Sequence, residues 1–373
     1  MVCDPGGFAR HQLTGEDGDE RCCIGGGFVR AVGLVMKTYL LLLGIMAFCA
    51  GCANRVSLPP PEGVAPLAPA HSAKDQPGKW TASDGTAFPY SVWQAKGGRK
   101  KAVVILAPGW DATMRDYTSL AEHLAAHGYA VYGSEQRAGV YDPVQSRRGD
   151  EGDWKVWPRD MREFTQFVAK QNPGVPVFYH GHSFGTLVML EAAHQARSDR
   201  SSVVPRGLVL QSVAMQFVMR LEDSVFRKML SAFNNARYPQ LTMIETMHAK
   251  ATGDKTLNSL WLHSPDRLTN GYTVRYFRAA CALGHAAREA AKDDGPPVLA
   301  LKGQNDGVVA FLPTQKWAYD SFLTRTLRGG KADVIRYENG YHTMTIPHSG
   351  NAAIDAVSAK AKADIVAWLD AHL

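Results

Sequence analysis

The chain is 373 residues long, 45% hydrophobic and 20% charged, with a formal net charge of +6 and six cysteines. That length and apolar content suffice for a large core without cross-links, which excludes a disordered or disulfide-stapled chain. The basic excess is small and dispersed, and Arg147-Arg148 is followed by Asp150-Glu151, so a nucleic-acid surface is excluded too.

Residues 1–35 are Gly-rich, of mixed charge and without apolar periodicity, and are expected to be a leader upstream of the true start at Met36. Met36-Lys37-Thr38 then opens a short basic region, and 39–48 form an apolar run. That run is shorter than the roughly 20 residues a membrane-spanning helix needs. It ends in Cys49-Ala50-Gly51-Cys52, small residues before a cysteine as in a bacterial lipobox, though Cys49 stands where an aliphatic residue is usual. Residues 36–51 are therefore expected to be a lipoprotein signal, with Cys52 the lipidated residue. A redox or metal role for the pair is disfavoured, because no second pair follows in a folded segment. Such an anchor implies the periplasmic side of a bacterial cell envelope, and Ala53, where aspartate would mark inner-membrane retention, points to the outer membrane. Residues 52–78, with Pro59-Pro60-Pro61, Pro66, Pro69 and Pro77, read as an extended tether.

From about 80 onward, strand and helix patterns alternate. Two antiparallel edge strands are expected within 80–95, and further strands near 102–107, 129–134, 175–180, 206–211, 297–302 and 333–337. Helical patterns fall near 115–127, 156–171, 184–197, 313–323 and 354–372. Apolar runs separated by amphipathic helices imply an α/β architecture, a mostly parallel sheet covered on both faces. Between 212 and 295 the strand rhythm stops. Met215, Val218, Met219, Leu221, Val225, Met229, Leu230 and Phe233 recur at helical spacing, and a second helix is expected over about 272–291. This stretch reads as a helical cap inserted after the sixth strand, so 79–211 and 296–373 form the core. Its methionines suit the wall of an apolar acyl pocket.

The most informative segment is Gly181-His182-Ser183-Phe184-Gly185, which follows the apolar run 175–180. Glycines on both sides let the chain turn sharply from strand to helix and bare a serine at the apex. A serine hydroxyl is a weak nucleophile and needs a base, an orienting acid and donors for an oxyanion. Asp306 follows the strand 297–302 in an Asn305-Asp306-Gly307 turn, and His342 lies on the loop after 333–337. Asp306 alone would pass for a turn former; in this order, each after a strand, the three make a triad. Glu338 is a weaker alternative acid. His180 and His182 are read as packing or hydrogen-bonding residues. The glycine loop Pro108-Gly109-Trp110-Asp111 after 102–107 is expected to supply one oxyanion donor, the Trp110 N–H, and Phe184 the other.

Asp84-Gly85, Trp93, Tyr117, Leu120-Ala121, Leu124 and Gly128-Tyr129-Ala130-Val131-Tyr132, taken with the serine elbow, resemble the monoglyceride lipase and lysophospholipase branch of the α/β-hydrolases, also known as serine aminopeptidase-like. The Ser, Asp, His order is that of this fold. The resemblance covers about 79 to the C-terminus. Two motifs depart from it: Pro108-Gly109-Trp110-Asp111 replaces the family's His-Gly-x-Gly, and Glu135-Gln136-Arg137-Ala138-Gly139 its Asp-x-Arg-Gly-His-Gly.

These features predict a serine hydrolase of carboxylic esters, of the monoacylglycerol or lysophospholipid type. The chemistry implies no cofactor and no metal. The partners are a small acyl ester or lipid and, through the anchor, a membrane; the oligomeric state is left open. The same triad would serve an aminopeptidase, with Glu222 or Asp223 receiving a substrate ammonium, or an acyltransferase. From another class, a non-catalytic hydrolase-fold lipoprotein would lack turnover altogether.

Overall fold

The computed structural model describes Gly63 and residues 78–215, 237–238, 250–268, 271–309, 313–345 and 349–373. The leader, the signal, Cys52, nearly all of the tether, the methionine stripe beyond Met215, and Glu222 and Asp223 lie outside the described residues.

Ten strands are present among them: β1 (Gly78–Thr81), β2 (Ala87–Trp93), β3 (Ala102–Ala107), β4 (Tyr129–Ser134), β5 (Val177–His182), β6 (Gly207–Gln211), β7 (Arg237–Tyr238), β8 (Tyr272–Thr273), β9 (Val298–Gly303) and β10 (Asp333–Tyr337). Eight form one sheet in the order β1-β2-β4-β3-β5-β6-β9-β10, while β7 and β8 pair separately within the inserted region. Pairing is antiparallel at β1–β2 and β2–β4 and parallel elsewhere in the large sheet. This is the architecture expected from the sequence, with the N-terminal edge strands in place.

The central strands β3, β4, β5, β6 and β9 are buried on both faces, because they run almost continuously apolar rather than alternating. In β3, Val103, Ile105 and Ala107 join the core on one side, and Ala102, Val104 and Leu106 join that on the other. β5, β6 and β9 divide their side chains in the same way. Each buried Val or Leu contributes about 1.5–3 kcal/mol. Helices α1 (Thr118–Ala126) and the C-terminal helix Ala352–Ala371 supply residues to one core, and α2 (Val156–Gln171) and α3 (Phe184–Ser198) to the other.

The region between β6 and β9 contains two described helices, α4 (Lys255–Leu262) and α5 (Val274–Ala290). Side-chain oxygens start both: Asp254 accepts from the Leu257 N–H at 2.8 Å, and Thr273 from the Tyr276 N–H at 3.2 Å. α5 buries Tyr276, Phe277, Ala280, Leu283 and Ala287 in the same core as α3. It therefore belongs to the helical layer on the sheet, and 250–268 lead from the insertion toward the strand ends.

Candidate active site

Parallel strands that end at one edge of the sheet bring their following loops together. β3, β5, β9 and β10 place 108–112, Ser183, Asp306 and His342 on that edge. Ser183 takes φ 51° and ψ −120°, a conformation rarely adopted by a residue with a Cβ. Its N–H donates to the Gln211 carbonyl at 3.0 Å, and the Thr186 hydroxyl donates to its carbonyl at 2.6 Å. The glycines are needed for contact: a Cβ at 181 would lie 2.7 Å from the Gly185 carbonyl oxygen, and one at 185 would lie 2.6 Å from that of Pro108.

His342 Nδ1 lies 3.0 Å from Asp306 Oδ2, with both side chains buried. The other carboxylate oxygen of Asp306 accepts the Val308 and Val309 N–H groups at 2.8 and 3.0 Å. Burial alone would raise this carboxyl, but the nearby His342 charge and the hydrogen bonds from His342, Val309 and Val308 hold it below its ordinary value. The competing acid Glu338 is exposed. Ser183 and His342 line one cavity that opens to solvent. No hydrogen bond joins them among the described residues; such contacts in unliganded hydrolases commonly tighten only with substrate.

Beside this pair runs a buried hydrogen-bond chain. The Gly109 N–H donates to Tyr117 Oη at 2.7 Å, and Tyr117 Oη lies 2.9 Å from His182 Nδ1. His182 Nε2 is 3.2 Å from the His342 carbonyl, which also accepts the Ser212 hydroxyl at 2.7 Å. Burial, aided by His342, pushes the His182 imidazole well below its usual pKa, so the ring is neutral. A neutral ring has one donor, and the carbonyl requires it at Nε2, so Tyr117 donates to Nδ1. The Gly109 loop, the Ser183 turn and the His342 loop are thus joined through one imidazole. His182 was expected to pack or hydrogen-bond, and it does. The parts played by Tyr117 and Ser212 have no local sequence signal, because only the crossing of β5 and β6 with the loops brings them near.

Trp110 and Phe184 also meet, with ring centroids 5.8 Å apart. Phe184 opens α3, so its N–H is one of the first-turn amides that no intrahelical carbonyl satisfies. The wall contributed by 250–268 is largely polar in its described part: Ser264, Asp266 and Arg267 line the cavity beside Trp261 and Ala251. Asp116, also in the lining, is raised to about 6, chiefly by burial and further by Glu135 and Asp266.

Comparisons with known proteins bear on the fold and the family. A soluble variant of monoglyceride lipase from Saccharomyces cerevisiae, solved with a substrate analog, superposes with TM-score 0.60 at 18% identity, covering 80% of this chain and 97% of that one. A carboxyl esterase from Bacillus coagulans in complex with glycerol gives TM-score 0.63 at 15% identity, over 79% and 98%. Paleococcus ferrophilus monoacylglycerol lipase gives 0.58 at 16%, over 77% and 99%. At such identities the likeness is one of fold. No curated protein sequence matches the chain. The Hydrolase_4 family model, described as serine aminopeptidase, S33, matches residues 98–346, well over half of the chain and all of the site. An eight-stranded sheet of this order together with that match makes the chain an α/β-hydrolase enzyme belonging to the serine aminopeptidase, S33, family.

Proposed function

We propose that the protein hydrolyses carboxylic esters, of the monoacylglycerol or lysophospholipid type, through an acyl-enzyme on Ser183. The supporting observation is that His342, paired with buried Asp306, lines one cavity together with Ser183. In this reading His342 Nε2 takes the Ser183 proton as the hydroxyl attacks the ester carbonyl. Asp306 holds the ring through Nδ1 and stabilises the imidazolium. The Trp110 and Phe184 N–H groups receive the oxyanion. The alcohol leaves with the proton from His342, and water then repeats the sequence to release the acid. No step calls for a metal or cofactor.

The name of the family and the carboxylate of Asp116 in the cavity lining favour a second reading, an aminopeptidase in which an acidic wall receives a substrate ammonium. A panel of p-nitrophenyl acyl esters against aminoacyl amides separates the two. Ester turnover with a preference for medium chains over acetate supports the first, and faster amide turnover replaces it with the second. Ser183→Ala is expected to abolish turnover and fluorophosphonate labelling; labelling that survives removes Ser183 from the mechanism. We also place the chain in the bacterial envelope, anchored through acylated Cys52 by the lipobox-like 49–52. Metabolic labelling with a fatty acid is expected to be lost in Cys52→Ala.

A further inference from the structure

The loop leaving β3 is gripped from across the cavity. Asp111 takes φ 59°, in the region that favours glycine, at the place where the resembling motif ends in glycine. An aspartate tolerates that conformation better than most residues but still costs about 1 kcal/mol that glycine does not. Its carboxylate faces the inserted segment. Tyr272 Oη donates to it at 2.9 Å, the Leu268 N–H at 3.4 Å, and Arg267 Nε at 3.4 Å. Side-chain exposure is only 3% for Asp111 and 10% for Arg267, so water competes weakly for these bonds. The grip is reciprocal. Arg115, four residues on, pairs with Asp266 at 2.6 Å and donates to Ser264 Oγ at 2.7 Å. Two ion pairs of opposite polarity therefore zip 111–115 to 264–268, with Tyr272 beside them. Between them the Trp110 ring packs on Phe277, Tyr276 and Tyr272 at centroid distances of 5.1, 5.4 and 5.6 Å.

We propose that Asp111 is a positioning residue that fixes the Trp110 N–H at the oxyanion site by tying its loop to Arg267, Leu268 and Tyr272. This rests on the reading of Ser183 and Trp110 given above. An oxyanion donor works only within about 0.2 Å of its place, and a displacement near 1 Å costs about 100-fold in rate. A glycine at 111 would relieve the backbone while freeing the loop, so strain and grip make opposite predictions.

The test compares Asp111→Gly, Asp111→Asn and Tyr272→Phe with the parent on a p-nitrophenyl ester, alongside thermal melting. Asp111→Gly is expected to lower kcat about 10- to 100-fold with KM within about threefold. It should weaken a trifluoromethyl ketone transition-state analogue by the same factor. Asp111→Asn still accepts from Tyr272 and Leu268 but loses the ion pair, and should fall between. Tyr272→Phe, a small change, carries the test if Asp111→Gly does not fold. Unchanged kcat in Asp111→Gly or Tyr272→Phe, or a loss confined to KM, overturns the proposal. Failure of the underlying reading shows separately, as labelling or turnover that survives Ser183→Ala.

Discussion

Asp306 is ionised across the working range because its partners outweigh its burial. Its folded pKa lies below the unfolded one, so the stability it contributes is present above about pH 4 and is lost as pH falls through the folded value. An activity loss seen above pH 4 therefore belongs to a group other than Asp306. Asp306→Asn is expected to lower kcat by roughly 10³- to 10⁴-fold with little change in KM, since an amide holds the ring in the wrong tautomer; steady-state kinetics check it. Tyr117→Phe keeps the ring but strips the hydroxyl between Gly109 and His182. One buried N–H and one ring nitrogen then lose their partner, so a loss of about 1–3 kcal/mol is expected in denaturant unfolding. Ser183, Asp306 and His342 were legible in the sequence as candidates because each follows a strand with a turn signal. Tyr117 and Ser212 were not, since their value depends on which loops become neighbours.

At the scale of elements, β5 carries a cost as well as the elbow. His180 is fully buried, and neither ring nitrogen has a hydrogen-bond partner among the described residues. Burial pushes it down to about 4. Between that value and about 6.5 the unfolded chain binds a proton that the folded chain refuses, so stability falls as pH drops through this window. At pH 5 the loss is on the order of 2 kcal/mol. His180→Leu is expected to flatten the stability profile between pH 7 and 5 by about that amount, as measured by denaturant midpoints at both pH values. If the profile keeps its slope, acid sensitivity lies elsewhere, His182 being the next candidate. Sequence periodicity placed β5 within two residues. It also assigned 272–291 to a cap, yet Val274–Ala290 packs with α3 in the core. Helical spacing shows that an apolar face exists without showing what covers it.

Across the whole molecule, one buried arginine joins parts that are distant in sequence. Arg137 Nε donates to Asp160 at 2.5 Å, its Nη2 lies 2.8 Å from Asp84, and the Trp157 indole donates to its carbonyl at 3.1 Å. The turn between β1 and β2, the loop after β4, and α2 are thereby held together beneath the loop that leaves β3. Arg137→Met would leave Asp160 with Arg159 alone, so a loss of about 3 kcal/mol is expected in urea unfolding. Retained stability would mean that the aromatic packing of Trp80, Phe88 and Phe164 holds the N-terminal hairpin without it.

Local chemistry in the sequence settled the alternation of strands and helices and the glycine-flanked serine turn, and it offered Asp306 and His342 as candidate partners of Ser183. Strand burial, turn residues and a glycine-flanked apex are each written within a few neighbouring positions. Tertiary structure alone decided that His182 bridges three loops and that Asp111 faces Tyr272, while it brought Asp306, the acid already favoured over Glu338 in the sequence, to within 3.0 Å of His342. Those pairings depend on parallel strands ending at one edge and on an insertion folding back over them. Contacts between residues tens to hundreds of positions apart leave no periodicity to read.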